Sequence, residues 1–312
     1  MKLRLLPFCA LAFVLPGLTP ALSAAPKIGV LLKGRSDFWS AVEKGAVEAG
    51  NKLGAEVIVK APPSESDVAV QIRLLASLGA QGIDALVIAP TNEDTLAGPV
   101  AALAAKGVKI VVIDSPLAGS VGAPFVGTNQ NAAGEAAGRL LGRLIGDGDE
   151  LSVLKHSQNS VAAEQREAGA LSALRAAHPG LPVHSDVYAS SEAGAEPERC
   201  AFLLEKHPGT KAILAAGSPG TMAMLQLLRT RKGGAIKFVG FGFNLNAEVA
   251  AAIAGGTMDG WVAQLPEDVG FKGVQAAADL LAGRAVPPVV STDFIVITKE
   301  NLQDPKVQAL LN

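Results

Sequence analysis

The sequence predicts an α/β fold built from doubly wound parallel sheets in two consecutive halves. Three observations carry that reading. Short apolar runs alternate with amphipathic stretches of roughly 12–16 residues, the spacing of βαβ units. The alternation restarts after Phe125-Val126-Gly127. Neither half opens with a GxGxxG turn, and no GxxxxGK[ST] occurs, so neither is a dinucleotide or nucleoside triphosphate site.

Taken in order, the first strand is 27–32, a nearly continuous apolar run, followed by a helical pattern over 38–53. A strand at 56–59, a helix over 65–78, a strand at 85–88, a helix near 96–106 and a strand at 108–113 complete the first series. In the second, a helix over about 132–145 leads to a strand at 151–154 and a helix near 161–176. Further strands are expected at 183–188, 212–215 and 236–239, with helices between them. Strands this apolar are buried on both faces, as parallel sheets covered by helices require, and the right-handed crossover rule makes each half doubly wound.

Composition narrows the function. The 312 residues carry 27 Lys and Arg against 29 Asp and Glu, and 49% are hydrophobic. Nothing there makes the basic face that nucleic acid needs, and the apolar content is too high for a disordered chain. Lys2 and Arg4 precede an apolar stretch at 5–15 and the small residues Leu22-Ser23-Ala24-Ala25. That pattern is a secretory signal peptide, cleaved after Ala24 or Ala25. The apolar stretch is too short to span the bilayer, and Pro7 and Pro16 interrupt it. Losing Lys2 and Arg4 takes the formal charge from −2 to −4 and leaves Cys200 as the mature chain's single thiol. An exported, soluble protein with no disulfide is expected.

In doubly wound sheets a ligand sits at the carboxyl ends of the strands. In the first half those ends carry 33–39, Ala89-Pro90-Thr91-Asn92, Asp114-Ser115-Pro116 and 127–130. In the second they carry His156-Ser157-Gln158, then Arg166 on the next helix, Gly217-Ser218, Gly242-Phe243-Asn244 and Gln264. Amides, hydroxyls, one carboxylate, one guanidinium and neighbouring aromatics suit a neutral polyhydroxyl ligand, whose C–H face an aromatic ring can cover.

From Lys27 onward the chain resembles the periplasmic sugar-binding proteins of the ribose/galactose type. The resemblance rests on Ser36-Asp37-Phe38-Trp39, Asp114, the run from Ala163 to Gly169, Val239-Gly240-Phe241-Gly242 and Val262-Ala263-Gln264-Leu265-Pro266, in order and spacing. The related repressors are set aside, because an export signal stands where a DNA-binding helix-turn-helix would precede the core. The resemblance implies two lobes, 26–128 plus 265–291 and 129–264 plus 292–312. Three crossings would join them, near Thr128, Gln264 and Thr292-Asp293. It further implies a ligand held between the lobes by hinge closure, a membrane permease of an ABC transporter as partner, a monomer, no cofactor and no metal.

Residue by residue, the resemblance implies that Phe38 and Trp39 are the aromatic pair of which at least one stacks on the sugar, the alternative being a staple into the core. Ser36 lies beside them. Asp114 accepts hydroxyl hydrogen bonds, unless it is a helix cap. Arg166 donates a fork, unless it sits on a solvated face, and Gln264 contacts the ligand at the hinge. Asn129 or Gln130 reaches the cleft, and Phe241 either stacks or belongs to the core.

The departures concern polar groups. Ala89, Ser115, Gly217-Ser218 and Gly242 stand where the family pattern carries an amide, a guanidinium, an Asn-Asp pair and a carboxylate. The glycines are expected to enlarge the pocket, with Lys33, Arg35, His156 or Asn244 filling the space, and ribose itself fits poorly. A sensor presenting a small molecule to a chemoreceptor or histidine kinase is the alternative. An enzyme is not expected. The four histidines show no metal spacing, Cys200 reads as core, and in Gly217-Ser218-Pro219-Gly220 the proline is expected to disturb the helix start rather than present a nucleophile.

Overall fold

A computed structural model describes residues 25–311 except 121, 157, 159, 190–193 and 232–233. The expected leader, apart from Ala25, and Ser157 therefore lie outside the described residues. The first series runs β1 (Lys27–Leu31), α1 (Asp37–Leu53), β2 (Glu56–Lys60), α2 (Val68–Ala80), β3 (Ala85–Ile88), α3 (Glu93–Ala104), β4 (Lys109–Ile113) and β5 (Phe125–Thr128). The second runs α4 (Gln130–Gly142), β6 (Glu150–Lys155), α5 (Val161–Ala177), β7 (Val183–Tyr188), α6 (Glu196–Lys206), β8 (Thr210–Ala215), α7 (Ser218–Thr230), β9 (Lys237–Phe243), α8 (Ala247–Gly255) and β10 (Gly260–Gln264). Last come α9 (Pro266–Leu281), β11 (Val289–Thr292), β12 (Phe294–Ile297) and the short α10 (Pro305–Gln308).

Two six-stranded sheets result, in the orders β11-β5-β4-β3-β1-β2 and β12-β10-β9-β8-β6-β7. The two orders correspond strand for strand, with the switch in winding beside β1 and β6. The expectation of parallel sheets needs one correction: β12 runs antiparallel to β10, pairing Gln264 with Phe294 and Trp261 with Ile297. Only Asp293 separates β11 from β12, so β12 enters the second sheet at its edge without a crossover helix.

Among the element boundaries that differ from expectation, two have a visible cause. α2 starts at Val68 rather than 65, because Ser64 to Asp67 form a turn closed by Asp67 N–H on the Ser64 carbonyl at 3.1 Å. α3 starts at Glu93, since the Asn92 side chain accepts from Thr95 N–H at 2.8 Å and caps it.

The core lies on both faces of each sheet. Trp39, Val42 and Ala46 of α1 pack with Val269, Val274 and Ala277 of α9 on the first sheet. Ala133, Ala137 and Leu141 of α4 pack with Ala170 and Leu174 of α5 on the second. In both helix pairs glycine sets the approach. A Cβ on Gly45 would overlap the Glu267 carbonyl, and one on Gly270 the Val42 carbonyl. On the other pair, a Cβ on Gly134 would overlap the Arg166 carbonyl, and one on Gly169 that of Asn131.

The chain passes between the sheets after β5, after β10 and after β11. Thr128 and Thr292, at the ends of the paired β5 and β11, are buried and share a hydroxyl hydrogen bond of 3.0 Å. This pins two of the passages side by side.

Backbone overlap cannot be relieved by a rotamer change, so Gly134→Ala should lower stability by about 1–3 kcal/mol. Gly255→Ala, a helical site whose Cβ would meet nothing within 4 Å, should instead raise it by roughly 0.5 kcal/mol. Urea denaturation of both variants checks the pair.

Candidate functional site

The carboxyl ends of both sheets face a shared cavity of about 340 Å³, at the small end of the roughly 300–1,000 Å³ usual for small-molecule sites. From the first half, Lys33, Ser36, Phe38, Trp39, Glu65 and Asp114 line it. The second half contributes His156, Ser160, Arg166, Ser218, Phe243 and Gln264, among others.

Asp114 closes β4 with a left-handed backbone, φ 63, a conformation that Asp tolerates better than most residues. Its Oδ2 receives Lys33 Nζ at 2.7 Å and the Ser115 hydroxyl at 3.0 Å. Lys33 also donates to the Ser115 hydroxyl. Burial works to raise the carboxyl's pKa, but the Lys33 charge and these hydrogen bonds outweigh it and hold the pKa below the usual value. Lys33, from the end of β1, thus supplies the cation beside Asp114 that Ser115 cannot.

Arg166 is buried on α5 with its guanidinium fixed on three sides. Nε donates to Gln130 Oε1 at 2.6 Å, Nη1 to the Ala216 carbonyl at 2.8 Å, and Nη2 to Gln264 Oε1 at 3.3 Å. Gln130 Nε2 donates to that same Gln264 oxygen at 2.9 Å. The guanidinium lies 5.4 Å from the centre of the Phe241 ring. Burial pulls its pKa down to about 10, with Asp114 and Glu167 opposing, and at neutral pH it stays charged.

Of the expected ligand residues, Ser36, Phe38, Trp39, Asp114, Arg166 and Gln264 come together around the cavity. Two do not. Asn129 points its side chain at its own helix, accepting from Ala132 N–H at 3.0 Å as the cap of α4. Phe241 is fully buried in the core of the second sheet, beneath Arg166. Gln130 is buried behind Gln264 and orients it. The two aromatics of α1 divide the roles weighed for them. Trp39 is 2% exposed, sits in the core and donates its Nε1 to Glu65 Oε1 at 2.7 Å. Phe38 is half-buried and meets Phe243 edge-on at 5.6 Å between centres, one ring from each half of the chain.

The glycines do not enlarge the pocket. A Cβ on Gly217 would stand 2.5 Å from His156 Nδ1, and one on Gly242 would overlap the edge of the Trp261 ring. Each missing side chain is replaced by an aromatic ring from a neighbouring strand end. Ala89 is fully buried, its carbonyl taken by Gln71 Nε2 at 2.7 Å. Lys33 and His156 line the cavity as expected, whereas Arg35 and Asn244 do not. Pro219 does not disturb α7: it lies in the helix's first turn, where the missing N–H has no helical partner to lose. Cys200 is fully buried, and burial pushes its thiol up to about 12. Glu65 is a functional candidate beyond those expected, and Phe243 stands among the expected strand-end residues without a role of its own. The loop after β2 supplies Glu65 and the end of β9 supplies Phe243, so the rule of carboxyl strand ends finds both.

Burial and the charges of Arg166 and Lys33 bring His156 down to about 4 from 6.5. The folded state therefore keeps a neutral imidazole while the unfolded chain takes up a proton below about pH 6.5. Stability should fall as pH drops from 6.5 to 4, with this group contributing on the order of 3 kcal/mol. His156→Phe should flatten that part of the profile in urea melts at pH 4.5 and 7.

Comparison with known proteins agrees with this geometry. A family model described as the periplasmic binding protein domain matches residues 28–285. The D-ribose/D-allose-binding protein of Pseudomonas aeruginosa is 28% identical over 288 residues, spanning 89% of this chain and 88% of its own. The D-allose-binding periplasmic protein of Escherichia coli is 27% identical over 290 residues, 88% of this chain and 91% of its own. Among solved structures, a carbohydrate transporter solute-binding protein from Agrobacterium radiobacter, in complex with D-arabinose, superposes with a TM-score of 0.81 at 28% identity. The match covers 93% of this chain and 99% of that one. With the family model spanning most of the chain and both sheets closing on one cavity, the protein belongs to the periplasmic binding protein family.

Proposed function

We propose that this chain is the periplasmic solute-binding protein of an ABC transporter and that it takes up a sugar or sugar-like polyol other than ribose, without chemistry. One observation carries the proposal: Asp114 and Phe38 from one sheet and Arg166 and Gln264 from the other border the same cavity. The named ligands of its relatives supply the substrate class. In this reading the lobes are 26–128 plus 265–291 and 129–264 plus 292–312, and they close about the three passages. The signal peptide delivers the mature monomer to the periplasm, and the closed form is what the permease receives.

Each side chain has a part. Phe38 covers the C–H face of the ring, with Phe243 and Trp39 bracing it. Asp114 accepts from hydroxyls with the oxygen that Lys33 leaves free. Arg166 and Gln264 donate from the opposite side, and Ser36 adds a hydroxyl that makes no capping bond on α1. The objection to ribose rests on lost polar partners at Ala89 and Gly242, since each buried ligand hydroxyl left unpaired costs roughly 1–3 kcal/mol, whereas Lys33 and His156 are polar groups standing beside Ser115 and Gly217.

The test is a thermal-shift screen of residues 26–312 against D-allose, D-arabinose, D-ribose, other pentoses and hexoses, and polyols. A sugar at 100 times its dissociation constant adds about 2.7 kcal/mol and raises the melting temperature by several degrees. Asp114→Ala and Arg166→Ala should each weaken that sugar more than tenfold while keeping a cooperative melt. Equal affinity in both variants would place the site elsewhere, and no response to any carbohydrate would overturn the sugar reading.

A further inference from the structure

His156, just past the end of β6, is a buried polar group on the cavity whose chemistry is unspent. Its Nδ1 is buried and, among the described residues, is the one buried side-chain nitrogen or oxygen with no hydrogen-bond partner. The charged groups that face it are engaged: Lys33 with Asp114 and Ser115, and Arg166 with Gln130, Gln264 and the Ala216 carbonyl. A buried nitrogen left unpaired is a cost that the fold bears until something pairs with it.

The ring's position is specified as well. Gly217 makes room for it, since any Cβ there would press on Nδ1 and on Cγ at 2.8 Å. The His156 backbone N–H is held by the Glu167 carboxylate. Arg166 and Lys33 face the ring and disfavour its protonation, Glu196 and Asp114 act the other way, and burial outweighs them all. The imidazole is therefore neutral. It has one N–H to donate and one nitrogen to accept, and no neighbour fixes the tautomer. Lys33 and Arg166 can only donate, and the carboxylate of Asp114 can only accept. A hydroxyl gives one hydrogen bond and takes another, so it is the ligand group a neutral imidazole matches.

We propose that His156 is a specificity-determining ligand contact, pairing a ring nitrogen with one hydroxyl of the bound sugar from the side of the second sheet. This rests on the sugar-binding reading above. It makes the Gly217–His156 pair one recognition element, in which glycine gives up its own side chain so that an imidazole from the next strand can reach the ligand.

The test is calorimetric titration of wild type, His156→Phe and His156→Gln with D-allose and D-arabinose, then with the monodeoxy forms of whichever binds. His156→Phe should weaken binding at least tenfold, and His156→Gln, which keeps a donor and an acceptor, should recover part of the loss. One monodeoxy sugar that binds weakly to wild type should bind His156→Phe no worse than the parent sugar does, which identifies the hydroxyl. If wild type binds and His156→Phe binds equally well, or if every deoxy sugar carries the same penalty in both proteins, this proposal is overturned and the sugar reading stands. If wild type binds no carbohydrate, the sugar reading falls instead. Should His156→Phe not fold, the comparison of wild type with His156→Gln across the deoxy series decides in the same way.

Discussion

A guanidinium buried without a carboxylate in contact is the constraint on which the rest of the cavity depends. Arg166 makes no ion pair among the described residues. Its charge is met by amide and carbonyl oxygens and by the Phe241 ring, with Asp114 and Glu167 acting only at a distance. Burying a cation this way is tolerable only if its donors are matched by fixed acceptors. That requirement reaches outward. Gln130 and Gln264 must hold their oxygens toward Arg166, so Gln264 is oriented before any ligand arrives. α5 must lie close enough to α4 for Gln130 to reach, which is why Gly134 has no side chain. The imidazole beside this charge is kept neutral. What looks like a set of separate binding residues is one electrostatic arrangement.

Much of this was legible in the sequence, and the failures have physical causes. Asp114, Arg166 and Gln264 were accessible because strand ends are fixed by short apolar runs, and the ends of a doubly wound sheet converge. Of Asn129 and Gln130, neither borders the cavity: an Asn just before a helical pattern is a cap, and its neighbour Gln130 turns inward behind Gln264. Phe241 was ambiguous because a strand buried on both faces has no alternation to tell its sides apart. Trp39 and Phe38 are adjacent, and only packing decides which ring enters the core.

The glycines were the deeper failure. A missing side chain reads as empty space when residues are considered one at a time. Which neighbour fills that space depends on contacts between strands far apart in sequence, as with His156 over Gly217 and Trp261 over Gly242. Trp261 also donates its Nε1 to the carbonyl of Asn244 at 2.7 Å, holding that residue in its left-handed conformation, φ 50. The polar pattern of the resemblance was therefore exchanged for aromatic rings at two positions, with the cavity kept small.

The packing of α1 on α9 has a consequence for how the chain is made. Gly45 lies against Glu267, and the first sheet is completed only when β11 pairs with β5. The amino-terminal half therefore lacks a covering helix and an edge strand until nearly the whole polypeptide has left the ribosome. Contacts so distant in sequence make folding slow relative to chains with local contacts. A polypeptide that cannot finish its first half early stays open for longer during its synthesis.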